Sequence, residues 1–211
     1  SLIQYSKKYG SIFPNDKKGE PPFSVDDNLL HQSTEVKILE APKKEAPEYI
    51  FQRSVSPEKA PNKPVYITLE YKNGDPISLN KKKLSPAKLL SKLNDIAGKN
   101  GIGRADLVEN RFIGIKSRGV YETPGGTVLL FANRAMQSVT LDTQTMHKND
   151  ELMPRYSELI YNGYWFSKER LKIQKIIDRK KGKIKGKIKV KLYKGNAVSY
   201  THLRAHETID D

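Results

Sequence analysis

Residues 182–193 constrain the fold most tightly. Lys183, Lys185, Lys187, Lys189 and Lys191 alternate there with Ile184, Gly186, Ile188, Val190 and Leu192. A period of two sets the lysines on one side of an extended chain and the apolar residues on the other. That pattern demands a half-buried antiparallel strand, so the chain must build a sheet with one wet face. A second strand signal lies at Val65-Tyr66-Ile67-Thr68-Leu69-Glu70-Tyr71, followed by Asn73-Gly74 and a return over residues 76–79. Asn-Gly between apolar runs marks a hairpin, because both residues accept positive φ.

The net charge of +14 raises nucleic-acid binding, but its distribution argues otherwise. Residues 168–194 hold thirteen Lys or Arg against Glu169 and Asp178, which accounts for eleven of the fourteen charges. No aromatic alternates with the lysines within 182–193, as single-strand binding would require. The preferred reading is a strand whose lysines keep it soluble and block edge-to-edge pairing. A non-enzymatic nucleic-acid-binding module using 168–194 is the alternative.

Helix signals complete an α+β expectation, with antiparallel strands packed by several helices. Leu2, Ile3 and Tyr5 begin an amphipathic pattern that stops at Gly10. Residues 12–22, with three prolines, read as an extended connector. Ser24-Val25-Asp26-Asp27 suits an N-cap, which predicts a helix over residues 23–39. Residues 42–64 read as a long loop in which Ile50 and Phe51 must pack. Ser85-Pro86 opens a helix carrying Leu89, Leu90, Leu93, Ile96 and Ala97 on one face, ended by Gly98 and Gly101. Residues 105–115 read as a strand running into a loop. Thr123-Pro124 opens another helix through Met136 and Val139, although 127–131 could equally be a strand. Tyr156, Leu159 and Ile160 predict a further helix, and Ser167 caps one with Leu171, Ile173, Ile176 and Ile177 as its apolar residues.

The chain of 211 residues is long enough for one domain with loose ends. It has no cysteine, which excludes disulfides, thiolate metal sites and a cysteine nucleophile. No apolar run approaches the roughly 18 residues of a membrane span, and no signal-peptide pattern is present. The chain opens at Ser1 rather than Met, so it is expected to be a fragment. His202 and His206 have i,i+4 spacing but no third ligand, so no metal site is assigned, and His31 and His147 read as structural.

The run Val108-Glu109-Asn110-Arg111-Phe112-Ile113-Gly114-Ile115-Lys116-Ser117-Arg118-Gly119-Val120-Tyr121 mixes charge, apolar bulk and glycine in the manner of a polar ligand site. Taken singly, its residues allow plainer roles. Glu109 could form a salt bridge with Arg111 or Arg118, and Tyr121 could be a core tyrosine with a satisfied hydroxyl. Ser24 could be a helix cap, and Ser33 a helix-surface residue.

Several ordered blocks resemble argininosuccinate synthase. They are Ser24-Val25-Asp26-Asp27-Asn28-Leu29-Leu30-His31-Gln32-Ser33-Thr34-Glu35, then Ile38-Leu39-Glu40-Ala41-Pro42, Leu93-Asn94-Asp95-Ile96-Ala97-Gly98-Lys99-Asn100-Gly101-Ile102-Gly103-Arg104, and the run above. Glu158-Leu159-Ile160-Tyr161-Asn162-Gly163-Tyr164-Trp165-Phe166-Ser167 and Leu192-Tyr193-Lys194-Gly195 continue the match, which spans about 1–197. The resemblance implies the citrulline-binding part of an ATP-dependent carbon–nitrogen ligase of arginine biosynthesis and the urea cycle. Its citrulline ligands fall on Ser24, Ser33, Glu109 and Tyr121. In that family ATP, with Mg, adenylates the ureido oxygen of citrulline, and aspartate then displaces AMP to give argininosuccinate. The implied whole is a cytoplasmic homotetramer.

The family's Ser-Gly-Gly-x-Asp-Thr-Ser loop for pyrophosphate and its Gly-x-Thr-x-Lys-Gly-Asn-Asp block for aspartate are missing. The chain is therefore expected to bind no nucleotide, to hold no catalytic residue, and to be inactive alone. Its expected organisation has three parts. Residues 1–22 are the end of a helix and a linker from a nucleotide-binding domain, and 23–197 are the citrulline-binding domain. Residues 198–211 depart from the family, resemble translated sequencing-adapter read-through, and are expected to take no part in the fold.

Overall fold

The computed structural model describes residues 2–10 and 23–204. After α1 (Leu2–Tyr9) come β1 (Ser24–Asp27) and β2 (Gln32–Glu35), then short 3-10 turns at Lys37–Glu40 and Glu48–Ile50. β3 (Val65–Lys72), β4 (Asp75–Leu79) and β5 (Lys82–Lys83) lead into α2 (Pro86–Lys99). β6 (Arg104–Asn110) and β7 (Lys116–Glu122) precede α3 (Pro124–Thr140), α4 (Thr143–Tyr161) and α5 (Lys168–Lys181). β8 (Gly186–Tyr193) and β9 (Asn196–Arg204) complete the described chain. The strands form two wholly antiparallel sheets, ordered β1-β2-β7-β6 and β5-β4-β3-β8-β9. The α+β expectation holds. The connector over 12–22 and the residues beyond Arg204 lie outside the described residues.

The five-stranded sheet carries the main core. Ile67, Leu69 and Tyr71 of β3 and Ile188, Val190 and Leu192 of β8 all point inward, as alternation requires. They meet Leu89, Leu93 and Ala97 from α2 and Val128, Ala132 and Met136 from α3. The β3–β4 turn is the one expected, with Asn73 at φ 53° and Gly74 at φ 81°.

The structure corrects several sequence expectations. β8 lies between β3 and β9, so its lysines guard no edge. Pairing with β3 also brings an aromatic among the lysines: Lys189 Nζ lies 5.3 Å from the Tyr66 ring centre, while Lys191 Nζ lies 6.0 Å from that of Tyr193 at the end of β8 itself. β9 continues through residues 198–204, which sequence reasoning had placed outside the fold, and backbone pairing with β8 holds them there. Residues 127–131 are helical, within α3. α4 starts thirteen residues before Tyr156, where Asp142 caps it by accepting the Thr145 N–H at 2.8 Å. On α5 Ile173 is buried, whereas Leu171 and Ile176 are exposed. Ser167 caps that helix as expected, but Ser85 and Thr123 occupy cap positions without a side-chain bond.

The helix expected over 23–39 is instead the β1–β2 pair. Asn28 Oδ1 accepts the backbone N–H groups of Leu30 at 2.9 Å and His31 at 3.1 Å, which closes a tight turn between the strands. The same short polar side chains that cap helices make such turns, so the local signal was ambiguous. Asn94 of α2 ties this turn to the body. Its Nδ2 donates to the Leu29 carbonyl at 2.7 Å, while its Oδ1 accepts the Gly125 N–H of α3 at 2.9 Å.

The long segment after β2 packs over one face of the four-stranded sheet, where Leu39, Ile50 and Val120 form a smaller core with Phe51 against it. Two polar latches hold it. Glu122 accepts the N–H groups of Gln52 and Arg53 and the Ser54 hydroxyl. Arg118 pairs with Asp106 at 2.8 and 2.6 Å and donates to the carbonyls of Ala41 and Lys44. The Arg118 fork holds the Asp106 carboxyl below the usual aspartate range. A lowered folded value means the pair stabilises above the ordinary aspartate pKa and stops doing so as pH falls through the folded value. Carboxyl carbon NMR of the wild type should therefore show Asp106 titrating low. Arg118→Gln should return it to the ordinary range, and an unchanged midpoint would contradict the latch.

Candidate functional site

The register of the four-stranded sheet decides which side chains share its other face. Directly opposed residues point the same way, as do residues two apart on one strand. Ser24 stands opposite Glu35, and Glu35 opposite Gly119. Ser33 stands opposite Tyr121, while Glu109 opposes Ser117 four residues along β7. Ser24, Ser33, Tyr121 and Glu109 thus occupy one face, away from the loop-covered side.

Their intimacy differs. The Tyr121 hydroxyl donates to Glu109 Oε2 at 2.8 Å, and buried Ser33 lies beside Tyr121 across the strand pair. Ser24 is exposed on the outermost strand, and among the described residues no hydrogen bond joins it to the other three. Neither serine has the helical setting expected for it. Arg111 Nη1 lies 3.5 Å from Glu109 Oε1, while its Nη2 meets Glu35 and the Ser117 hydroxyl. Arg118, the other candidate partner for Glu109, is committed to Asp106 on the opposite face. Tyr161 reaches in from the end of α4, its hydroxyl 3.3 Å from Glu109 Oε1.

Two carboxylates, Glu35 and Glu109, therefore share one guanidinium. Glu35 is the largest influence raising the Arg111 pKa, with Glu109 a smaller one. Around Arg111 these two carboxylates leave one negative charge in surplus, which is what an ammonium ligand needs, and exposed Asp26, opposite Ser33, adds another to the same face. The Tyr121 hydroxyl is held protonated well above its ordinary value, first by burial and then by its bond to Glu109. It remains a donor at any physiological pH. The cluster can orient a small zwitterion, but it contains no nucleophile–base pair.

Sequence reasoning missed Glu35, Tyr161 and Gly119 as parts of this cluster. Glu35 was detectable, since it follows Ser33 by two and shares its face once a strand is assumed. Tyr161 was not, because only tertiary packing brings α4 to the sheet. Ser24, Ser33, Glu109 and Tyr121 line neither of the clefts along α3, α4 and α5, one of about 690 Å³ lined by Leu130, Met153 and Tyr156, although Tyr161, which meets Glu109, lines the second. Those four share an open sheet face rather than one of these hollows.

Residues 23–208 match the family model described as "Arginosuccinate synthase C-terminal domain". The chain belongs to the argininosuccinate synthase family. A relative of that name from Pelagibacter ubique is 69% identical over 195 residues, covering 92% of this chain and 49% of the relative. Others of the same name from Parvibaculum lavamentivorans and Xanthobacter autotrophicus are 58% and 56% identical, over 93% and 92% of this chain and 48% of each relative. The chain spans about half the length of the curated relatives it matches. Among its described residues, no helix is long and apolar enough to cross a membrane.

Proposed function

We propose that this chain forms the citrulline-gripping half of a cytoplasmic, ATP-dependent ligase that joins citrulline to aspartate and releases argininosuccinate, AMP and pyrophosphate. The observation that carries the reading is the Tyr121–Glu109 hydrogen bond beside Ser33, where Glu35 and Glu109 together carry one more charge than the Arg111 they share. Glu109 accepts the α-ammonium of citrulline. Tyr121 and Ser33 hold its other polar ends, and Ser24 completes the set from the outer strand. No proton transfer is asked of these side chains. They supply position, fixing the ureido oxygen where a phosphoryl donor can reach it.

ATP, with its Mg, and aspartate are bound by the remaining half of the family's length. That half packs over the open face, against Leu107 next to Glu109 and the exposed Phe112, Ile113 and Ile115 of the β6–β7 turn. The complete protein works as a homotetramer.

The test is to join the N-terminal half of the Pelagibacter ubique relative to this chain and follow AMP and pyrophosphate. Release should require citrulline together with ATP and aspartate, and the chain alone should release nothing. AMP release that is indifferent to citrulline would overturn the proposal.

A further inference from the structure

Gly119 sits in the interior of β7, where a glycine weakens a strand unless something needs the space. Its φ lies outside the left-handed region, so the backbone conformation would accept any residue. The space above it is filled. A Cβ built on Gly119 would lie 2.9 Å from Tyr121 Cε2, 3.0 Å from its Oη and 3.1 Å from its Cζ. Tyr121 therefore lies along its own strand, with its hydroxyl over the bare Gly119 backbone.

That posture is what lets Tyr121 reach Glu109. The two are not cross-strand partners: Tyr121 faces Ala105, and Glu109 faces Ser117. Four residues of strand separate Tyr121 from Ser117, about 13 Å. A tyrosine standing upright from the sheet could not span that gap. A tyrosine laid back across position 119 meets an extended glutamate at 2.8 Å.

We propose that Gly119 is a positioning residue for the citrulline site: its missing side chain lays Tyr121 down onto Glu109. The inference deepens the proposed function and rests on it for the ligand, but the positioning itself can be read without any ligand. The first measurement uses this chain labelled with carbon-13 at tyrosine Cζ. The Tyr121 signal, identified by its loss in Tyr121→Phe, should shift in Glu109→Gln, where the charged acceptor is gone. Gly119→Ala should move it toward that same position, and an unmoved signal would overturn the positioning role.

Should Gly119→Ala alone fold poorly, the Tyr121→Ala background keeps the idea testable. With the ring removed, alanine at 119 should raise the melting temperature, because alanine suits a strand interior better than glycine. If Gly119→Ala lowers the melting temperature equally with and without the ring, the ring is not what demands glycine.

In the joined ligase, Gly119→Ala should raise the citrulline KM about tenfold, the worth of one misplaced hydrogen bond to a charged group. The constants for ATP and aspartate should stay put. In a Tyr121→Phe background the same substitution should add little, since the hydroxyl it displaces is already absent. If Tyr121→Phe leaves citrulline KM unchanged while the carbon signal moves as expected, the ligand assignment fails and the positioning stands. If Tyr121→Phe raises KM and Gly119→Ala moves neither KM nor the signal, the positioning fails and the ligand assignment stands.

Discussion

Glu122→Ala should cost this chain about 3–5 kcal/mol in urea unfolding, the scale for breaking a buried hydrogen-bond network that leaves several donors orphaned. Glu122 is 2% exposed. Its carboxylate accepts the Gln52 N–H at 2.7 Å, the Arg53 N–H at 3.1 Å and the Ser54 hydroxyl at 2.5 Å. Alanine leaves two backbone donors without acceptors in a place water reaches poorly, and an orphaned buried donor costs about 1–3 kcal/mol. The damage should spread, because Ser54 also accepts from Arg104 Nε at 2.9 Å, and Arg104 stacks 3.8 Å over the Phe51 ring. Glu122→Gln should cost less, since an amide oxygen still accepts while its NH2 faces the donors. The control is Glu48→Ala. Glu48 forms a two-bond fork with the same Arg104, but its side chain is 49% exposed, so its loss should cost under about 1 kcal/mol. Equal costs for the Glu122 and Glu48 variants would show that the loop over residues 42–64 is held by its apolar contacts and not by the Glu122 latch.

The same latch marks the boundary of what could be read from sequence. Elements whose apolar period is set by a single large core were legible: β3, the apolar face of α2 and the inner face of β8 follow patterns of 2 or 3.6 residues, and the Asn73-Gly74 turn then gives β4. β1 and β2 were not. Gln32, Ser33 and Thr34 are three consecutive buried polar residues, so β2 shows no apolar alternation to find. Their burial depends on neighbours far away in sequence, namely Val120, Tyr121 and Glu122 of β7. The candidate site was legible only through resemblance, for the same reason. A face built to hold a polar ligand breaks the patterning rules that reveal a core face. What the fold adds is the connection between residues: Tyr121 laid along β7, Glu35 answering Arg111, and Tyr161 arriving from the end of α4.

Glu109→Gln in the joined ligase should raise the citrulline KM by about 100-fold, within the 2–5 kcal/mol typical of removing one member of a desolvated ion pair. The charge count around Arg111 decides the size of the effect. If Arg111 neutralised Glu109, the carboxylate would have little left for an ammonium, and the substitution would be mild. Arg111 instead sits in close contact with Glu35 and only 3.5 Å from Glu109, so Glu35 answers the guanidinium and Glu109 keeps its charge for the ligand. Glutamine preserves the shape and an acceptor for Tyr121, and Arg111 retains Glu35, so unfolding free energy should change by less than about 1 kcal/mol. A large KM effect on a stable fold separates ligand binding from scaffolding. Glu35→Gln gives the complementary test. With its main partner gone, Arg111 turns to Glu109 and competes with the incoming ammonium, so citrulline KM should rise although Glu35 need not touch the ligand. High salt should weaken that competition, because exposed charge pairs are screened over about 8–10 Å. An unchanged citrulline KM in Glu109→Gln would mean that the ammonium is held elsewhere, whatever the sheet face does.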